Sequence, residues 1–208
     1  IGLLSTGCHA VGFVSPSHYI PHVKAIIESL RISGFNPVFV YNTNGYDKVE
    51  EIRELDSYID IYLPDFKYAS NRLAREYSKA GDYQQVALAA ISEMYRQRGS
   101  TLVMNENGYA ERGLIIRHLV LPGNIQNSLD VLNQIACIST SIAISLMAQY
   151  GPVPAVQNHP LLNRVLLADE YSQVKAELEN LGFYKGWVQE LESSEHYRPD
   201  FESDKPFG

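Results

Sequence analysis

Short apolar runs alternate with amphipathic stretches along most of the chain. His9–Val14, Val38–Tyr41, Ile59–Leu63, Gly113–Leu121 and Ile142–Met147 are each too short and too β-branched for helices, and read as strands. Between them, apolar residues recur at helical spacing. Tyr19–Ile32 carries Ile20, Val23, Ile26, Ile27 and Leu30 on one stripe, and Gly34 closes it. Asp47–Ser57 turns Val49, Ile52 and Leu55 inward. Asp82 is an N-cap and Gly99 a stop for a helix whose stripe is Tyr83, Val86, Ala87, Ala90, Ile91 and Met94. Further helices span Asn124 to about Cys137 and Asp169–Asn180, and Tyr184–Gln189 reads as a last strand. Asn107-Gly108 marks a hairpin within Thr101–Arg112. Residues after Lys67 read as irregular but helix-rich, Pro152–Pro160 as a loop, and the stretch from Ser193 as a polar surface tail.

Apolar strands separated by amphipathic helices mean a parallel sheet with crossover helices. No linker divides the chain, so residues 1–208 are expected to form a single α/β domain. A closed eight-stranded barrel needs about 250 residues. The expected fold is therefore a partial, open parallel βα barrel, TIM-barrel-like, of about five or six βα units.

Composition narrows the function classes. The net charge of −7 and the lack of a Lys/Arg cluster argue against nucleic-acid binding. The longest apolar run, around Ile142–Met147, is far too short to cross a bilayer, and no secretory signal pattern is present. Cys8 and Cys137, far apart in sequence, point to free thiols in a reducing, cytoplasmic setting, with Cys8 packed near a helix end, unless the fold brings the two together to pair. Ile1–Gly7 looks like the tail of a helix with Gly7 as its C-cap, so the chain is expected to begin in mid-element.

The strands share one kind of ending: apolar, then polar. The ends are Ser15-Pro16-Ser17-His18, Asn42-Thr43-Asn44-Gly45, Asp65-Phe66-Lys67, Arg117 with Pro122-Gly123 beyond it, and Gln149-Tyr150. Asp65 and Lys67 stand two apart, so their side chains leave the same side of an extended backbone. In a parallel barrel such ends converge on one face, which is where α/β folds place their chemistry. That face would offer Ser, Thr and Asn hydrogen bonds, one carboxylate and two cations, suited to a polar organic ligand with an anionic part. Taken singly, each has a plainer role: a helix cap at Ser15–His18, a turn at Asn44-Gly45, a structural ion pair at Arg117.

Three of these stretches, Asn42–Gly45, Ile61-Tyr-Leu-Pro-Asp-Phe-Lys67 and Ile116-Arg-His-Leu-Val-Leu-Pro-Gly123, resemble strand motifs of the radical S-adenosylmethionine superfamily, in particular the branch of pyruvate formate-lyase-activating enzymes. Gly186-Trp-Val-Gln189 is similar to that branch too. The resemblance runs from about Gly7 to Gln189 and implies residue roles. Asp65 and Lys67 match the acid and lysine at the core of the site, the candidate catalytic pair. Asn42 and Thr43 match positions near the methionine or ribose moiety, and Arg117 the strand beneath the cofactor. Gln149 and Tyr150 match the last strand, near the adenine. The turn of Ser15, Ser17 and His18 stands where the superfamily has a Gly-Gly-Glu that receives the amino group; the Glu is absent here and His18 is nearest its place.

The resemblance further implies S-adenosylmethionine and a 4Fe–4S cluster in a parent protein, and reductive cleavage to a 5′-deoxyadenosyl radical. The implied partners are a glycyl radical enzyme or other protein substrate and a reductant such as flavodoxin or ferredoxin. Such enzymes hold the cluster on a Cys-x-x-x-Cys-x-x-Cys loop. This sequence has no such loop, so its expected place is upstream of Ile1 and this chain alone is expected to be inactive. Two other classes stay open. Lys67 at a strand end would serve a Schiff-base lyase or aldolase if burial kept its amine neutral, a state that Asp65 opposes. A non-catalytic binding module would use the same face without turnover. His18 and His22, four apart, have the spacing of a zinc pair, but no third ligand is evident and no metal site is assigned.

Overall fold

The computed structural model describes residues 2–191; the tail from 193 lies outside them. The strands are β1 (Ala10–Val14), β2 (Val38–Thr43), β3 (Ile61–Pro64), β4 (Val103–Met104), β5 (Ala110–Leu119), β6 (Ala143–Met147) and β7 (Gly186–Val188). The helices are α1 (Gly2–Ser5), α2 (Ile20–Ile32), α3 (Val49–Glu54), α4 (Asn71–Ser78), α5 (Tyr83–Arg98), α6 (Ile125–Ile138) and α7 (Ala168–Asn180). Strands pair in the order β1-β2-β3-β5-β6-β7, all parallel, and β4 adds antiparallel to β5.

Because neighbours in sequence are neighbours in the sheet, same-handed crossovers put the helices on one face and leave the other open. Side-chain alternation shows this directly. Phe39, Tyr41, Tyr62, Leu114, Ile116, Ile144 and Leu146 are buried, and they pack with Val23 and Ile27 of α2, Ile52 of α3, Ile91 and Met94 of α5, Val131 and Ile135 of α6 and Val174 of α7. On the opposite face Val14 is 72% exposed, and Val40 and Asn42 are only half-buried. The expected open, partial parallel βα barrel is what the chain forms.

Several local expectations change. The region after Lys67 contains a defined helix, α4, which buries Leu73 and Ala74. The second arm of the Asn107-Gly108 hairpin and the fourth long strand are one strand, β5. Asp82 stands at the N-cap position of α5 but makes no capping hydrogen bond; its carboxylate accepts the Tyr46 hydroxyl instead. Asp47 lies before α3 rather than in it. Cys8 is exposed, not packed, in the short link between α1 and β1; Cys137 is exposed as well, and both thiols are free.

Candidate functional site

Register places the predicted residues. Val14 pairs with Asn42, Asn42 with Leu63, and Asp65 bridges to Arg117, which pairs with Ser145. In-register partners on parallel strands share a face, so Asn42, Asp65, Lys67 and Arg117 all lie on the open face, at the C-terminal ends of β2, β3 and β5.

Asp65 is the centre. Lys67 Nζ lies 2.5 Å from its Oδ2, and Arg117 Nη2 lies 2.6 Å from its Oδ1. The Asp65 side chain is 13% exposed against 28% for Arg117 and 39% for Lys67, so the acid is the buried member and the cations reach outward. One carboxylate against two cations leaves the trio net positive. The Arg117 contact is an ion pair off hydrogen-bonding angle: Asp65 Oδ1 and Arg117 Nε are buried without a hydrogen-bond partner among the described residues. The Asn42 amide is also unengaged there. The part-exposed Arg117 and Lys67 side chains and the half-buried Asn42 amide leave an outward-facing set of donors for a polar ligand, with the Asp65 carboxylate buried beneath them.

What fixes this set is the backbone of residues 65–69, which has left the regular sheet, and whose polar groups find mostly side-chain partners. Phe66 N–H donates to Arg117 O at 2.9 Å, the last of the ladder. His118 Nδ1–H donates to Phe66 O at 2.7 Å, and His118 Nε2 accepts from Ser128 Oγ at 2.9 Å. Lys67 N–H donates to the Tyr83 hydroxyl at 3.0 Å, whose own proton serves Asn44 O and Asp65 O at 2.9 and 3.0 Å. Asn127 closes the segment, donating to Lys67 O and accepting from Ala69 N–H, both at 2.9 Å. Tyr83, His118, Asn127 and Ser128 are all buried; the His118 bonds lie fully inside and the Tyr83 and Asn127 bonds are part-buried, so leaving them unmade is costly. Burial pushes the Tyr83 phenol well above its ordinary range and pulls the His118 imidazole down to about 4, keeping both neutral.

Removing the Tyr83 hydroxyl leaves one part-buried N–H and two carbonyls short of a partner. Tyr83→Phe is therefore expected to lower unfolding stability by about 2 kcal/mol and to speed amide exchange at Lys67. A urea-melt difference below about 0.5 kcal/mol would show the hydroxyl is not the clamp of this segment.

The other predicted residues divide. Ser17 and Thr43 meet on Asp47: their hydroxyls donate to it at 2.6 Å each, and Tyr41 adds a third at 2.9 Å. Thr43 and Asp47 are buried, on the helix side of the sheet, so these hydroxyls tie the β1–α2 loop to the end of β2 and do not face the open side. Ser15, at φ +52°, is exposed and donates its N–H to Asn42 O at 2.8 Å. His18 is exposed on an outer cleft of about 540 Å³ that also involves Ser17, Tyr46 and Asp82. Gln149 accepts from Gln189 at 3.0 Å, and the Tyr150 hydroxyl donates to Leu162 O at 2.7 Å; both brace the β6 end and the loop after it. The structure thus gathers Asn42, Asp65, Lys67 and Arg117 and sets the remaining six around them in other contacts.

Among the described residues no three His, Cys, Asp or Glu side chains converge as metal ligands, and no helix is long and apolar enough to cross a membrane. Cys8 precedes β1 and Cys137 ends α6, which puts both thiols at the edge of the sheet opposite the site.

No protein-family model matches the chain. An uncharacterized protein of Methanocaldococcus jannaschii, MJ0674, is 28% identical over 151 residues, which are 72% of this chain and 40% of that protein. The chain thus spans 40% of the length of that curated relative. Among solved structures, a domain of pyruvate-formate lyase-activating enzyme from Bacteroides vulgatus aligns with a TM-score of 0.59 at 14% identity, covering 86% of this chain and 98% of that domain. At this identity the likeness is one of fold: the open parallel α/β sheet and the one-sided layer of helices.

Proposed function

We propose that this chain is the strand-end, ligand-holding part of a radical S-adenosylmethionine enzyme similar to the pyruvate formate-lyase-activating enzymes. The observation that carries the reading is the net-positive trio of Asp65, Lys67 and Arg117 on the open face, its two cations part-exposed over the buried carboxylate. The shared fold with an activating-enzyme domain supports it.

The residues present fit S-adenosylmethionine. The outward parts of Arg117 and Lys67 would receive its carboxylate, and the Asn42 amide its amino and hydroxyl groups. When bound beside a reduced cluster, this cofactor supplies reductive cleavage and hydrogen-atom abstraction. This chain's own part is positional: Asp65 holds two cations at fixed places, and the clamped 65–69 segment denies them alternative rotamers. The cluster does not fit here. Two thiols at the far edge of the sheet cannot bind it beside Asp65, and no step is assigned to it on these residues. Its ligands would belong to sequence outside the described residues. A glycine of a partner protein as the hydrogen donor, and a flavodoxin or ferredoxin as reductant, complete the proposal for the whole protein. Lys67 Nζ is tied to the Asp65 carboxylate at 2.5 Å, so it is not free to attack a carbonyl carbon as a Schiff base needs, which counts against the lyase reading.

The test has two parts. S-Adenosylmethionine titrated into this chain is expected to bind saturably, and Arg117→Gln to weaken it about tenfold, the loss of one charge-assisted contact. The natural-length protein, purified without oxygen, is expected to be brown, to contain iron and sulfide, and to release 5′-deoxyadenosine with dithionite. A colourless, iron-free product making none would sink the radical reading, and borohydride trapping at Lys67 would come next.

A further inference from the structure

Beside the clamped segment lies a separate cavity of about 250 Å³, bordered by Asn44, Tyr46, Lys67, Tyr83 and the α4–α5 turn at Ser78–Ala80. Its chemistry is one-sided. In a chain of net charge −7, no carboxylate among the described residues lines it. The nearby acids are engaged elsewhere: Asp65 with Lys67 and Arg117, Glu76 with Arg72, and Asp82 with the Tyr46 hydroxyl. What faces the cavity is donors and ring surfaces. Lys79 makes no ion pair among the described residues; its Nζ reaches only Glu76 O, at 3.5 Å. Asn44 spends its Oδ1 on Tyr46 N–H and keeps its amide protons free. Tyr46 stacks on Tyr83 at 5.9 Å, and Tyr68 meets Tyr83 edge-on at 5.5 Å, so the walls are aromatic.

Lys79 also stands where a small residue is usual. It follows α4 in the left-handed region, φ +58°, a helix end that favours glycine. The strained position carries a long, flexible, exposed cation.

We infer that this cavity is a binding site for an aromatic anion, a small ring system bearing a carboxylate or phosphate. The ring would slot against Tyr46 and Tyr83, and the anionic group would take Lys79 and the Asn44 amide. The inference does not rest on the cofactor reading above: of the residues that border the cavity, Lys67 alone belongs to the Asp65 site. Its size, below that of a drug-sized pocket, suits a single metabolite.

The probe is phenyl phosphate, titrated into this chain by calorimetry and followed by amide NMR, with inorganic phosphate as the comparison. Phenyl phosphate is expected to bind about tenfold tighter than inorganic phosphate and to shift the amides of Asn44, Tyr46, Lys79 and Ala80. Lys79→Gly is the decisive variant because it relieves the left-handed strain while removing the cation. It is expected to weaken phenyl phosphate about tenfold while melting at the same or a higher temperature, so loss of binding cannot be loss of fold. The inference is overturned by any of three results: no saturable binding up to about 10 mM, equal affinity for the two anions, or undiminished binding by Lys79→Gly.

Discussion

Gly45→Ala is expected to cost about 4 kcal/mol of unfolding stability, through strain at a special backbone position plus overlap in a packed site. Gly45 follows β2 at φ +81°, where a β-carbon is disfavoured, and its N–H donates to Thr43 Oγ1 at 3.1 Å. Steric overlap outweighs that strain. An added Cβ would stand 2.2 Å from Asp65 O and 3.2 Å from the Tyr83 hydroxyl. Asp65 O cannot simply give way. It accepts the Tyr83 hydroxyl at 3.0 Å, and Asp65 N–H is fixed to Thr43 O at 2.9 Å. Relief requires moving β2 from β3, or breaking the Tyr83 clamp and so displacing Asp65 and Lys67. Gly34 supplies the control. It has the same conformation, φ +82°, at the end of α2, but an added Cβ would meet nothing within 4 Å. Gly34→Ala should therefore cost only the backbone strain, about 1 kcal/mol. Urea melts of the two variants, side by side, separate strain from close approach. If they differ by less than about 1 kcal/mol, the β2 turn is not wedged against the site as described.

The sheet was legible because its signals are local. Strands such as Val38–Thr43 and Ala143–Met147 are short apolar runs, and α2 and α5 carry a helical stripe; their strict alternation leaves only a singly wound parallel sheet as the simplest topology. Helix α4 was not legible. In Asn71–Ser78 only Leu73 and Ala74 are buried among mostly polar neighbours, too few to print a period. The site divides the same way. Asp65, Lys67, Arg117 and Asn42 follow from strand ends and two-residue alternation. The groups that fix them do not, because their partners are distant backbone atoms: His118 reaches back 52 residues to Phe66 O, and Asn127 reaches back 60 to Lys67 O. Main-chain acceptors leave no mark in a sequence. One signal was available. His118 occupies a core-facing position on a strand whose neighbouring core-facing residues, Leu114 and Ile116, are apolar, and Asn127 and Ser128 are buried on α6, so polar groups interrupt surfaces that packing alone would fill with apolar residues. Ser17 and Thr43 illustrate the converse: polar residues at the right strand ends whose hydroxyls are committed to Asp47.

Acid should destabilise this protein first through His118. The imidazole is 1% exposed, and its bonds to Phe66 O and Ser128 Oγ fix the neutral Nδ1–H tautomer. Burial brings its folded-state pKa down to about 4, against the ordinary 6.5 of the unfolded chain; the hydrogen bond to Phe66 O and the Asp65 charge only partly oppose this. Between those values the unfolded chain binds a proton that the folded chain does not, so stability rises with pH across the window and falls as pH drops from 6.5 towards 4. At 1.36 kcal/mol per unit the full loss is about 3 kcal/mol, most of it above pH 4.5. Below that a second group joins. Glu170, held at about 2 chiefly by hydrogen bonds from Arg164, and also by those from Leu167 N–H and Gly123 N–H, loses its contribution as it is protonated. The clean interval for His118 is therefore pH 6.5 to 4.5. His118→Asn isolates it, since an asparagine amide can still donate towards Phe66 O but cannot titrate there. The variant should be about 1–3 kcal/mol less stable at pH 7.5, having lost the Ser128 bond and the ring's packing. It should also lose most of the slope between pH 6.5 and 4.5 in urea melts taken at half-unit steps. If the variant keeps the wild-type slope, the titrating group lies elsewhere. If the slope goes, the residue that holds the Phe66 carbonyl beneath Asp65 and Lys67 is also what makes the candidate site fail first in acid.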